Sequence, residues 1–126
     1  METLLIHEDL MTGTFFSDIC NLLKKEGVKI YSGPKLNQTL TFGPPPAKSL
    51  KHEYGALEAS IEVVKDLDDA IDHIHKYGSS HTDVIVTENG TPIKNYPYQI
   101  KTYCFFVHRW SRQILPTSSG QCLCIP

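Results

Sequence analysis

The stretch from Leu57 to Thr87 permits few folds. Leu57, Ala59, Ile61 and Val63 alternate with Glu58, Ser60 and Glu62, the period-two pattern of a strand with one buried face. Asp66 stands where a helix N-cap belongs, with Asp68 and Asp69 in the first turn against the positive end of the helix dipole. Leu67, Ala70, Ile71 and Ile74 then form a single apolar stripe. Lys76 closes the last turn, and Gly78 suits a left-handed position just past it. Asp83-Val84-Ile85-Val86-Thr87 reads as a second, buried strand. Strand, helix and strand in so short a span favour a right-handed crossover and a mostly parallel sheet.

The same rhythm runs upstream. Thr3–Ile6 is a short apolar strand, and Thr12-Gly13-Thr14 breaks it. Phe15, Phe16, Ile19, Cys20, Leu22 and Leu23 recur at helical spacing, followed by Lys24, Lys25 and the stop residue Gly27. Val28–Tyr31 alternates as a strand closed by Ser32-Gly33-Pro34, and Thr39–Phe42 reads as a further extended piece. Gly43-Pro44-Pro45-Pro46 is a stiff surface loop. The expected helices lie near 14–26 and 67–77, and the expected strands near 3–7, 28–32, 57–65 and 83–87. The expected fold is three-layer α/β for residues 1–89. From Gly90 to Pro126 no capped helix and no long alternating strand can be read, so this tail is expected to be irregular.

Composition narrows the chemistry. A net charge of -2 offers no basic excess for nucleic acid or an anionic membrane. The longest apolar run, Cys104 to Val107, is far too short to span a bilayer. No secretory signal or Arg-rich transit peptide opens the sequence. The four cysteines therefore read as reduced thiols rather than a disulfide framework. Cys104, His108 and Cys122-x-Cys124 are metal-ligand types, but one C-x-C lacks the second pair of a zinc site. His73 and His75 are two apart on a helix, point to different faces and are expected to face solvent. Cys20 on the apolar helix face is expected to pack as a small hydrophobe. The local constellation that gathers polar groups is Gly78-Ser79-Ser80-His81-Thr82-Asp83, a turn between helix and strand. Such a turn can also simply satisfy its own backbone.

The run from Val64 to Ile85 resembles the signature of γ-glutamyl phosphate reductase, also called glutamate-5-semialdehyde dehydrogenase. It fits V, five residues, A-x-x-H-I, then Y-G-S-x-H-T-D-x-I. The opening Met1-Glu2-Thr3-Leu4-Leu5-Ile6 resembles the segment after that family's catalytic cysteine, C-N-A-x-E-T-L-L, and Lys48–Gly55 also fits. The wording is closest to the reductase half of the animal bifunctional Δ1-pyrroline-5-carboxylate synthase, and the resemblance covers about residues 1–89. It implies a partial aldehyde-dehydrogenase-like catalytic domain. In that family a cysteine thiolate attacks the acyl phosphate and NADPH reduces the thioester, covalent catalysis that splits one hard displacement in two. By resemblance, Ser79, Ser80, His81 and Thr82 are substrate-binding candidates, and Glu53, before Tyr54-Gly55, is a cofactor-ribose candidate.

The same alignment places the catalytic cysteine three residues before Met1, so no catalytic residue is expected in this chain. The cofactor domain and the oligomerisation region are not matched either. The expectation is a fragment of an NADPH-dependent reductase of proline biosynthesis, inactive by itself, with no cofactor or metal of its own. Its expected partners are full-length reductase subunits, with neither nucleic acid nor membrane. The animal family is mitochondrial; without a transit peptide this chain would be cytoplasmic. Codons for Ile114–Pro126 exist that, read one base along, spell the family's continuation F-F-L-Q-A-V-D-S-A-C-V-F. Residues 90–126 are therefore expected to be a non-native tail from a retained intron or frameshift. Two competing functions remain: a truncated isoform that modulates the intact enzyme, and a metal or redox protein using the tail cysteines.

Overall fold

The computed structural model describes residues 2–79, 82–87, 104–109 and 121–125. In chain order it contains β1 (Thr3–His7), α1 (Phe15–Lys25), β2 (Lys29–Ser32), α2 (Pro34–Thr39), β3 (Glu58–Val64), α3 (Leu67–Tyr77), β4 (Thr82–Thr87), β5 (Cys104–Arg109) and β6 (Gln121–Ile125). The strands form one six-stranded sheet in the order β2-β3-β1-β6-β4-β5. Every pairing is parallel.

Strand order explains the layering. The β1-α1-β2 connection runs toward one edge of the sheet, and β3-α3-β4 runs toward the other. Right-handed crossovers in opposite directions put their helices on opposite faces. Ile19, Cys20 and Leu23 of α1 pack in one cluster with Leu4, Ile6, Ile30, Ile61, Val63, Val84 and Val86. Ala70, Ile71 and Ile74 of α3 are buried outside that cluster, as are Leu5 and Val64. The three-layer α/β expectation therefore holds for the described part of residues 1–89. Asp66 caps α3 as the sequence predicts, accepting from Asp69 N at 2.8 Å.

Four local expectations need correction. The stretch that begins at Pro34 is a helix, with Pro34 in its first turn, and no strand forms over Thr39–Phe42. Proline at that position has the φ a helix needs and lacks only an N–H that would go unbonded there. Gly78 is extended, with φ -66° and ψ 148°, rather than left-handed. What requires glycine is close approach, since a Cβ there would lie 2.5 Å from the Ile74 carbonyl oxygen. His73 is buried, not solvent-facing, while His75 is exposed. Finally, β3 is covered on both faces: Ser60 and Glu62 are 1% and 2% exposed, whereas Leu57 is 68% exposed.

Polar residues survive inside β3 because each has partners. Ser60 Oγ lies 3.1 Å from Thr3 Oγ1 on the neighbouring strand. Glu62 acts as the N-terminal cap that α2 lacks in its own sequence. Its Oε1 accepts from Leu36 N at 2.8 Å and Val63 N at 3.0 Å, and its Oε2 accepts from Lys35 N at 3.1 Å. Gly33 leaves room for that carboxylate, because a Cβ there would fall 2.5 Å from Oε2.

The largest correction concerns the tail. Residues 104–109 and 121–125 are strands, not irregular chain, and β6 occupies an interior position between β1 and β4. A strand from residues 110–126 packed into the sheet is the outcome that counts against a tail unrelated to the fold. It also means that β4 has neighbours on both sides, so no open edge follows Val86. An interior strand of a parallel sheet need not alternate as a half-exposed strand does, and Gln121–Ile125 carries no such pattern.

Candidate functional site

Two adjacent clefts open beside α3, sharing Leu50 and Tyr77 in their walls. The smaller, about 170 Å³, lies at the amino-terminal edge of the sheet. Glu2 and Thr3 line it where the chain enters β1, Tyr77–Ser79 where it leaves α3, and Leu50–Glu53 from the long loop before β3. Two candidates named by sequence, Glu53 and Ser79, thus meet in one cleft. Ser80 and His81 lie outside the described residues, and Thr82 is the first residue of β4.

Aromatic packing fixes the Glu53 side of the cleft. Tyr54 is 8% exposed, stacks on Tyr31 at 5.4 Å, and receives the edge of His52 at 4.7 Å. Such pairs hold geometry beyond simple area burial. Tyr31 donates to Glu58 Oε2 at 3.3 Å, and Lys29 Nζ sits 5.1 Å from the Tyr31 ring centroid. Burial pushes the Tyr54 phenol pKa up; the nearby Ser60 hydroxyl pulls it back without making a well-formed bond. Tyr54 is therefore an anchor, and the exposed Glu53 beside it is free to face the cleft.

No described cysteine thiol lines this cleft. Cys20, the one cysteine whose side chain is described, belongs to the α1 core cluster. Burial raises its thiol pKa, offset only in part by Lys24, which keeps it protonated and inert. Among the described residues no group of three or more His, Cys, Asp or Glu could hold a metal. The backbone also separates the soft ligand types of the tail: Cys104 and His108 are on β5, Cys122 and Cys124 on β6, with β4 between them. Strands two apart stand roughly 9–10 Å from one another.

His73 is the residue that sequence reasoning misplaced. It is 8% exposed, and its ring lies 4.8 Å from that of Tyr77. Desolvation, with Lys35 next, lowers its pKa from 6.5 to about 4, Asp69 opposing and Lys76 adding to the fall. A depressed histidine pKa means the unfolded chain binds more protons between those values, so stability rises with pH there. The chain is expected to lose stability progressively as pH falls from about 6.5 to about 4, and His73→Phe to flatten that dependence. Urea midpoints across this window check it; an unchanged slope in the variant would show that His73 is not the group responsible.

Comparison with known proteins gives a consistent result. The chain is 53% identical over 87 residues to Delta-1-pyrroline-5-carboxylate synthase 1 of Oryza sativa subsp. japonica, covering 69% of this chain and 12% of that protein. It is 34% identical over 113 residues to the gamma-glutamyl phosphate reductase of Desulfatibacillum aliphaticivorans, covering 89% of this chain and 27% of that protein. A match of that extent runs past Asn89 into the tail. The crystal structure of gamma-glutamyl phosphate reductase from Thermotoga maritima superimposes with a TM-score of 0.75 at 33% identity, over 84% of this chain and 26% of that one. No protein-family model matches. The chain is homologous to these reductases, shares their mixed α/β fold with a parallel sheet, and corresponds to a fragment of such an enzyme, spanning about an eighth to a quarter of its relatives' length.

Proposed function

We propose that this chain is the part of an NADPH-dependent γ-glutamyl phosphate reductase that walls the substrate cleft, and that it does not turn over by itself. The observation that carries this reading is the meeting of Glu53 and the Gly78–Ser79 turn at the entry to β1. The opening motif puts the reacting thiol of the family just before this strand, at the same edge. Hydroxyl and backbone N–H groups in a turn suit the oxygens of an acyl phosphate. Ser79 supplies the first of them, with Ser80, His81 and Thr82 next in sequence. A protonated His81 would add a charge-assisted bond to phosphate.

The cleft fits one end of the cofactor at most. At about 170 Å³ it is smaller than the roughly 300–1,000 Å³ that encloses a small-molecule ligand. Glu53, an exposed carboxylate in its wall, is a suitable acceptor for the ribose hydroxyls next to the nicotinamide. The cofactor's contribution is hydride; this chain's contribution is binding and orientation at that ribose. Cys20, the one cysteine whose side chain is described, is buried in the core and is not placed to form the thioester.

The test uses an intact reductase that carries this segment. Glu53→Gln should raise the KM for NADPH with kcat little changed, and Ser79→Ala should raise the KM for the acyl phosphate. If both constants stay at their original values, the cleft is not the binding site.

A second reading is a non-catalytic chain that docks on intact reductase subunits. It is favoured by the exposure of Phe42 at 93% and Leu57 at 68%. Mixing the chain with the intact enzyme and following the reductase rate separates the two readings.

A further inference from the structure

The last two residues of β2 hold both ends of one loop segment. Ser32, 1% exposed, grips the upstream end. Its N–H donates to the Pro45 carbonyl at 2.8 Å, its carbonyl accepts from Ala47 N at 2.8 Å, and its hydroxyl donates to the Pro44 carbonyl at 2.9 Å. Tyr31 grips the downstream end through the ring of Tyr54, stacked at 5.4 Å and 8° from parallel. Side chains alternate along a strand, so the Ser32 hydroxyl and the Tyr31 ring engage from opposite faces of β2. Pro44, Pro45 and Pro46, each with a fixed φ, stiffen the upstream arm.

Between the grips lies Lys48–Glu53. Leu50–Glu53 line the smaller cleft, and Leu50 lines the larger one as well. The hydrogen bonds of this segment are local: Lys51 N donates to Ser49 Oγ at 3.1 Å, and His52 N to Ser49 O at 3.4 Å. Among the described residues no hydrogen bond ties Lys48–Glu53 to the rest of the fold. His52 instead lays its edge on Tyr54 at 4.7 Å, which joins the segment to the downstream grip. Fixing both ends of a short segment at neighbouring points removes much of its conformational freedom.

We infer that Tyr31 and Ser32 are positioning residues: by holding Tyr54 and Pro44–Ala47, they set where Glu53 stands in the cleft wall. The functional half of this inference rests on the reading of Glu53 as the acceptor for the cofactor ribose. Neither Tyr31 nor Ser32 lines either cleft, so each acts through the loop it holds.

Trypsin nicking of the 126-residue chain tests the grip itself. Cleavage after Lys48 and Lys51 is compared with cleavage after Lys24 and Lys76, all four exposed. Ser32→Ala and Tyr31→Leu should each speed nicking at Lys48 and Lys51 about five-fold and leave Lys24 and Lys76 unchanged, because losing one such contact shifts a local opening by that much. Tyr31→Phe keeps the ring and should match the parent chain. Unchanged nicking in both variants, or an equal rise at all four lysines, would overturn the inference. The role is then read in an intact reductase that carries this segment. Ser32→Ala should raise the KM for NADPH about five-fold with kcat little changed, and add nothing in a Glu53→Gln background, because it acts through that carboxylate. A further rise in the double variant would overturn the positioning role. Selective nicking beside a KM that Glu53→Gln does not move would fault the ribose reading of Glu53 and leave the grip on the loop standing.

Discussion

Ending the chain after Gly120 is expected to divide the sheet and abolish cooperative folding. Strand β6 pairs with β1 through Leu4↔Cys122 and Leu5↔Leu123, and with β4 through Val84↔Cys122 and Ile85↔Leu123. Without it β1 and β4 each lose a full row of ladder bonds, at about 1 kcal/mol net per bond. Val84 and Val86, 3% and 8% exposed, would also lose part of their cover. A small domain has only about 5–15 kcal/mol in hand, so the combined loss exceeds what it can bear. Leu123→Pro is the finer version, since proline removes a ladder N–H in a strand paired on both sides. Amide exchange at Thr3–His7 and Val84–Thr87 reads the result directly. Protection lost in both variants is the expected outcome; protection retained would mean that β6 is not an interior strand.

Glu62→Ala is expected to be the most damaging single side-chain truncation in the β3 layer. It removes the acceptor for Lys35 N, Leu36 N and Val63 N together. Losing a cap typically costs about 1 kcal/mol, and stranding buried donors adds about 1–3 kcal/mol more. Glu62→Gln keeps one acceptor oxygen and should cost about half as much. Urea midpoints for the two variants, together with amide exchange over Lys35–Asn37, check this. A midpoint for Glu62→Ala equal to that of the parent chain would show that α2 is capped some other way.

The legible part of this fold was the part governed by local rules. Helix α3 was bounded correctly because Asp66 caps it and an apolar stripe defines its buried face. Helix α1 and strands β1 to β4 followed from the same periodicities to within a residue or two. What could not be read depends on contacts made across the sheet. Glu62 alternates like a solvent-facing residue, and only the arrival of α2 over β3 turns it into a buried cap. His73 sits beside the α3 stripe, and only the breadth of the layer below decides that it is covered. Strand β6 has an interior place because β1 and β4 receive it, not because Gln121–Ile125 carries a strand pattern.

The site was legible in its residues but not in its assembly. Ser79 and Glu53 were named from motifs, yet their meeting depends on the α2–β3 loop returning to the amino-terminal edge of the sheet. The stacked Tyr31 and Tyr54 rings hold that loop in place, and they come from segments with no local relation to one another. The larger groove had no sequence signal at all, because its floor joins β3, α2 and α3.

The most direct test of the proposed role is a reductase assay on the purified 126-residue chain. NADPH oxidation is followed with γ-glutamyl phosphate, and NADP reduction with glutamate semialdehyde and phosphate, each beside a Cys20→Ser variant. Aligning thiolate, acyl phosphate and nicotinamide is what supplies the rate, and proximity of that kind is worth several powers of ten. The expected result is no turnover above the protein-free blank in either direction. Turnover that tracks the purified chain and persists in Cys20→Ser would contradict it, because a nucleophile other than Cys20 would then lie within this chain.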